Sequence, residues 1–328
     1  MDGAYWGGAG AGNIVRQTGI DGWEMRCAWE NLESTLGTYT FTALNANIAK
    51  VTGWGKKVAI SLNTTGYYPG YTHSRAPAYI TSNHTTYGGL PGSGGELQCK
   101  PIYGSQFNIV NMWNTNTFNR FKALIDALAT QYDGVIEYII YDEMATQLTD
   151  EEATAVGGIS AIAAKQLEIY DYMKSKFLNS TVFVKMNYLS GVGDTRGAVI
   201  SNLNAHKNNG KTGAVELAFP LSNPLYPNFT PSISNGHLEN THAVLREFPF
   251  SQRRYAHTEA SESSTLADTT SAIQNRQALR WAAYMFQGCE KPIFRITIND
   301  GIGGGPGASN YGLQWAALSP YLTSRYLR

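Results

Sequence analysis

Two strand-like runs in this chain stop at carboxylates. Val135-Ile136-Glu137-Tyr138-Ile139-Ile140-Tyr141 leads into Asp142-Glu143, and Arg254-Tyr255-Ala256-His257-Thr258 leads into Glu259. At the rim of a parallel barrel such a stop puts acids where catalytic groups gather and where apolar walls raise a carboxyl pKa. Two carboxylates facing one pocket suit acetal cleavage: one gives and takes a proton, the other attacks the anomeric carbon. For that double displacement the carboxyl groups must lie about 5–5.5 Å apart. Glu262 competes with Glu259 for the nucleophile's part. The plainer alternatives are that Asp142 caps a helix, with Glu143 solvated, and that Glu259 is a rim carboxylate.

Other side chains fit around such a pair. Arg26, near the end of an earlier apolar run, is of the type that keeps a carboxylate ionised, although Glu24 and Glu30 are rival partners. Strand alternation puts Tyr255, His257 and Glu259 on one face, which makes His257 either a sugar ligand or a packing residue. Sugar rings pack on aromatic faces, and among seven Trp and twenty Tyr the better placed are Trp29, Tyr67, Tyr188 and Tyr226, which follow or end apolar runs. Gly301-Ile302-Gly303-Gly304-Gly305-Pro306-Gly307 lacks the Lys-Ser/Thr of a phosphate loop and reads as a rim loop.

The elements that must hold these residues alternate. Strand-like runs fall at 3–6, 19–27, 57–62, 135–141, 182–187, 214–219, 255–258 and 293–298. Between them, 3.6-residue spacing marks helices at 43–52, 117–132, 151–177, 195–208, 236–246 and 270–287, with a closing helix at 311–326 that Pro320 interrupts. Phe118, Phe121, Leu124, Ile125 and Leu128 form one core stripe, and Gly134 and Gly288 stand where helices end. Eight strands alternating with helices predict an α/β fold, a (β/α)8 TIM barrel, as one catalytic domain over 1–328. A long aromatic loop, 64–116, follows the third strand and is expected to shape a cleft.

Composition removes other classes. Twenty-five basic residues balance twenty-five acidic ones, and no window carries the basic stripe that phosphate neutralisation needs, so nucleic acid is not an expected partner. No apolar run approaches the ~18 residues of a membrane span. The start, Met1-Asp2-Gly3, lacks the segments of a signal peptide, so either the protein is not exported by that route or the N-terminus is trimmed. Cys27, Cys99 and Cys289 are too scattered for a disulfide framework or zinc site and read as plain thiols. Glycosylation triplets begin at Asn63, Asn83, Asn179 and Asn228, in a chain so rich in Asn and Thr that chance supplies several. The amide- and hydroxyl-rich surface points to an extracellular or virion setting.

The order of Gly19 to Glu33, with Arg26, Trp29 and Leu32-Glu33, then Gly37-Thr38-Tyr39-Thr40-Phe41 and Gly55-Lys56-Lys57 before an apolar strand, resembles the retaining glycoside hydrolases of clan A, in their β-galactosidase, cellulase and xylanase branches. The likeness runs from about Gly19 to Asn299, more strongly in the first half. It implies an acid/base at Glu143 and a nucleophile at Glu259. Two positions depart from the pattern: the family has Asn where Asp142 stands, and a Trp platform where this chain reads Thr297-Ile298-Asn299-Asp300. An ionised Asp accepts a hydrogen bond from a sugar hydroxyl but cannot donate one.

The expected function is therefore retaining hydrolysis of β-glycosidic bonds in an oligo- or polysaccharide, with no metal or cofactor. The rivals are a catalytically altered barrel that binds polysaccharide, or a barrel enzyme of another class such as a polysaccharide lyase.

Overall fold

The computed structural model describes residues 2–4, 22–65, 74–88, 95–99, 108–141, 148–184, 255–259 and 291–298, the first and the last two segments as backbone. In chain order these hold β1 (Asp2–Ala4), β2 (Gly22–Ala28), α1 (Trp29–Leu32), α2 (Thr42–Thr52), β3 (Lys57–Asn63), α3 (Ala78–Thr81), α4 (His84–Tyr87), β4 (Glu96–Gln98) and β5 (Asn108–Val110). There follow α5 (Thr115–Tyr132), β6 (Tyr138–Tyr141), α6 (Asp150–Ala155), α7 (Gly158–Lys176), β7 (Thr181–Val184), β8 (Tyr255–Glu259) and β9 (Lys291–Ile298). The chain divides into two compact units, Met1–Arg26 with Ala43–Ala59 and Lys211–Arg328, and Cys27–Thr42 with Ile60–Gly210.

The first unit is built on parallel pairing. Its β1 lies between β2 and β9, with Gly3 opposite both Glu24 and Thr297, and β9 in turn pairs with β8. Trp23, Glu24 and Met25 are all buried, as in a strand covered on both faces. Gly22 lies so close to its neighbour that a Cβ would stand 2.7 Å from the Lys57 carbonyl oxygen. Buried Leu44, Asn47, Ile48 and Val51 make the inner stripe of α2.

In the second unit the order is β7-β6-β3, and β6 and β7 run parallel with Tyr138 opposite Thr181 and Tyr141 opposite Val184. All four residues of β6 are buried. Helix α5 forms where the apolar stripe predicts it, burying Phe118, Phe121, Leu124, Ile125, Leu128 and Tyr132. Each such side chain contributes about 1.5–3 kcal/mol. Asn114 opens the helix by accepting from the amides of Asn116 and Thr117, and Gly134, at φ 80°, lies just past its end. α7 packs beside it: Tyr172 Oη donates to Asp126 at 2.8 Å, and the Lys165 ammonium lies 4.4 Å from the Phe118 ring centre.

Three expectations need correction. The helix expected over 151–177 is two, because Gly157 and Gly158 take φ of 99° and 77° and break the ladder that the apolar period seems to continue. The stretch 64–116 is not one loop: it contains α3, α4 and the antiparallel pair β4–β5, where Leu97 faces Ile109. The strand expected from 135 begins at Tyr138, since residues 133–135 form the turn after α5 and leave Val135 exposed. The elements expected at 195–208, 214–219, 236–246, 270–287 and 311–326, and Gly288 and Cys289, lie outside the described residues.

Candidate active site

Two of the expected catalytic strands are in place. Glu259 is the last residue of β8 and stands opposite Arg295 of β9, with His257 opposite Ile293. Arg26 is in β2. The side chains of all three lie outside the described residues, as do Tyr67, Asp142, Glu143, Tyr188, Tyr226 and Glu262 altogether. Tyr141, the residue before Asp142, ends β6.

The end of β6 is held tightly. Tyr141 sets its ring edge-on to Phe121 and Tyr170, at centroid distances of 5.1 and 6.2 Å, and its hydroxyl shares a 3.1 Å hydrogen bond with Thr64 Oγ1. Thr64 follows β3, whose apolar run turns polar at Asn63-Thr64-Thr65, all three buried. Asn63 Oδ1 accepts from the Thr65 amide at 2.9 Å, and the Thr64 carbonyl accepts from the Arg75 amide at 2.9 Å. Nearby in the same unit, the buried Glu96 carboxylate accepts from the Ser74 amide at 2.5 Å and from Asn108 Nδ2 at 3.4 Å. Buried polar groups need such partners, and here the chain provides them at and just past the ends of its strands. Sequence reasoning passed over Thr64 and Glu96, although three polar residues closing an apolar strand were a visible signal.

Trp29 is fully enclosed. Its indole N–H donates to Glu33 Oε2 at 2.9 Å and its ring meets Phe121 edge-on at 5.6 Å. Glu33 also accepts from the Gly37 amide at 2.9 Å and pairs with Arg120, which donates in addition to Tyr39 and Tyr79. Leu-Glu and the aromatic motif after it thus meet in a buried ion-pair network. Burial works against the Arg120 charge, but hydrogen bonds to Tyr79 and Glu33 outweigh it and raise its pKa. Tyr79 is pushed above the usual phenol range chiefly by burial.

Neither described cysteine suits nucleophilic chemistry. Burial pushes the Cys27 thiol up to about 12 and raises Cys99 too, where the charge of Glu152 adds to the effect. Both stay as thiols near neutral pH. Among the described residues no group of three His, Cys, Asp or Glu could hold a metal ion, and no helix is long and apolar enough to cross a membrane.

No family model matches the sequence, and no curated protein does. Solved structures do match. The catalytic domain of the β-amylase from Paenibacillus polymyxa has a TM-score of 0.59 at 10% identity, over 92% of this chain and 90% of that one. Endo-glycoceramidase II from Rhodococcus sp., complexed with a cellobiose-like imidazole, has a TM-score of 0.55 at 14% identity, over 85% of this chain and 65% of that one. These neighbours are glycoside hydrolases built on TIM barrels. The resemblance to clan A read from the motifs holds at the level of the fold, and a parallel sheet is its described core.

Proposed function

We propose that the chain is a retaining glycoside hydrolase that cleaves β-glycosidic bonds in an oligo- or polysaccharide, with 1–328 as one catalytic (β/α)8 domain. The observation that carries this reading is Glu259 as the last residue of a parallel strand, in a chain whose neighbours of like fold are glycoside hydrolases. Glu143 follows the last residue of β6 by two positions. Barrel enzymes keep their reacting groups at such strand ends.

In the mechanism Glu143 protonates the departing oxygen while Glu259 attacks the anomeric carbon. Glu143 then takes a proton from the water that releases the sugar. Arg26 keeps Glu259 ionised, and a neighbouring negative charge favours the protonated form of Glu143. Asp142 accepts from a sugar hydroxyl, with Tyr67, Tyr188, Tyr226 and His257 as further sugar contacts. Trp29 acts through the wall that it shares with Glu33. The chemistry requires no cofactor or metal, and an amide-rich surface fits an extracellular or virion setting.

Proton NMR of the first product formed from a panel of polysaccharides tests the reading. The anomer of the substrate is expected to be retained; an inverted anomer eliminates double displacement.

A further inference from the structure

The connection that carries Asp142 and Glu143 leaves β6 at Tyr141 and is met again at Leu148. Both ends are fastened. Tyr141 is held by Thr64, Phe121 and Tyr170. Leu148 is fully buried and bridges Cys99 in antiparallel fashion, while the Thr149 amide donates to the Gln98 carbonyl at 3.1 Å.

Thr149 and Glu152 have the spacing of a capping box, and the threonine does its part: Thr149 Oγ1 accepts from the Glu152 amide at 3.3 Å. The glutamate behaves differently. In a capping box it would take the Thr149 N–H, but that N–H is already given to Gln98, and Glu152 Oε1 takes the Gln98 N–H instead, at 3.3 Å. A side-chain oxygen thus occupies the place of a strand carbonyl, and Gln98 is gripped by both of its backbone groups. Glu152 is only 6% exposed, and its Oε2 is buried with no hydrogen-bond partner. A helix cap alone would not require burying that second oxygen.

We propose that Glu152 is a positioning residue for the acid/base carboxyl of Glu143, fastening the far end of the segment that carries it to the β4–β5 hairpin. The proposal rests on the glycosidase reading above. Glu152 acts as an acceptor in either protonation state. Burial pushes its carboxyl above the ordinary range, the charge of Glu151 adds to this, and the Gln98 N–H opposes it. Among the described residues Cys99 is also beside it, and its thiol is raised in part by the Glu152 charge. Glutamine keeps the acceptor oxygen; alanine does not.

The test compares the full-length wild type with Glu152→Gln and Glu152→Ala. In Glu152→Ala, kcat on an unactivated oligosaccharide is expected to fall about tenfold, since small misplacements of a catalytic group are costly. KM should stay within about twofold, and an aryl glycoside with a good leaving group, which needs less proton donation, should lose less. If the loosened segment admits water to the Glu143 carboxyl, the basic limb of the kcat/KM profile should move to lower pH, and amide exchange across 142–149 should quicken while α5 keeps its protection. Glu152→Gln should restore all four readouts. An active wild type whose Glu152→Ala variant shows unchanged pH profile and exchange, or equal losses on both substrates, overturns the positioning role alone. A glutamine variant as deficient as alanine also overturns it. A wild type inactive on every glycan sinks the glycosidase reading and this role with it.

Discussion

Glu33, wholly shut from water, is paired by Arg120 from a position 87 residues further along the chain. Because Trp29 and the Gly37 amide satisfy the rest of the carboxylate, the charge is tolerable only while Arg120 remains. Removing one partner of a buried pair costs about 3–5 kcal/mol. Arg120→Met is therefore expected to lower unfolding free energy in urea by about 3 kcal/mol. A loss below about 1 kcal/mol would mean that the pair has little to do with stability.

A second expectation concerns pH. Asp133 accepts from the amides of Leu178, Asn179 and Ser180 at 3.1, 2.9 and 2.8 Å. Burial disfavours its charge, but these hydrogen bonds prevail and its pKa falls below the usual value. A lowered acid stabilises the fold above the ordinary carboxyl range, near pH 4, and loses that contribution as pH drops through its folded value. Asp133→Asn should be about 1 kcal/mol less stable at neutral pH. The gap should close on acidification, and a gap that widens towards acid contradicts the account.

The break between α6 and α7 can be probed with methyl groups. At Gly157 a Cβ would meet Ala161 Cβ at 3.0 Å with φ at 99°, whereas at Gly158 nothing lies within 4 Å and φ is 77°. Left-handed backbone costs an ordinary residue about 1–2 kcal/mol. Gly157→Ala should accordingly lower Tm more than Gly158→Ala; the reverse order would show that the crowding is relieved elsewhere.

For the proposed chemistry, Glu143→Gln should lose about 10²–10⁴-fold on natural glycans and much less on substrates whose leaving group needs no proton. Glu259→Ala should be inactive and partly rescued by azide, yielding a glycosyl azide of inverted configuration. Glu262→Ala should stay active. Equal losses on both substrate types would remove Glu143 from the role of acid.

What the sequence reveals depends on how far a residue's cause lies from it. Helix α5 is legible because Phe118 through Leu128 repeat on one face and Gly134 marks its end, whereas its opening at Asn114, ahead of the expected start at 117, shows only in the folded chain. Strand β8 is legible to its terminal Glu259. By contrast β4 and β5, at three residues each, are too short to display alternation, and α3 and α4, at four each, too short to display a helical period. The period across 151–177 continues through two glycines whose positive φ overrides it. Nothing local joins Leu32-Glu33 to Arg120, or Glu152 to Gln98, so neither pairing is visible before the chain is folded.

The hydrogen bond between Asn63 and Thr65 bears on how the protein can be made. Asn63-Thr64-Thr65 is a glycosylation triplet, yet Asn63 is only 7% exposed in β3 and its side-chain oxygen is committed to the Thr65 amide. A sugar attached there during synthesis, before the strand forms, would be too bulky and too polar to follow the side chain inward. Secretory eukaryotic hosts would divert part of each batch into chains unable to complete β3, whereas a bacterial cytoplasm leaves Asn63 bare.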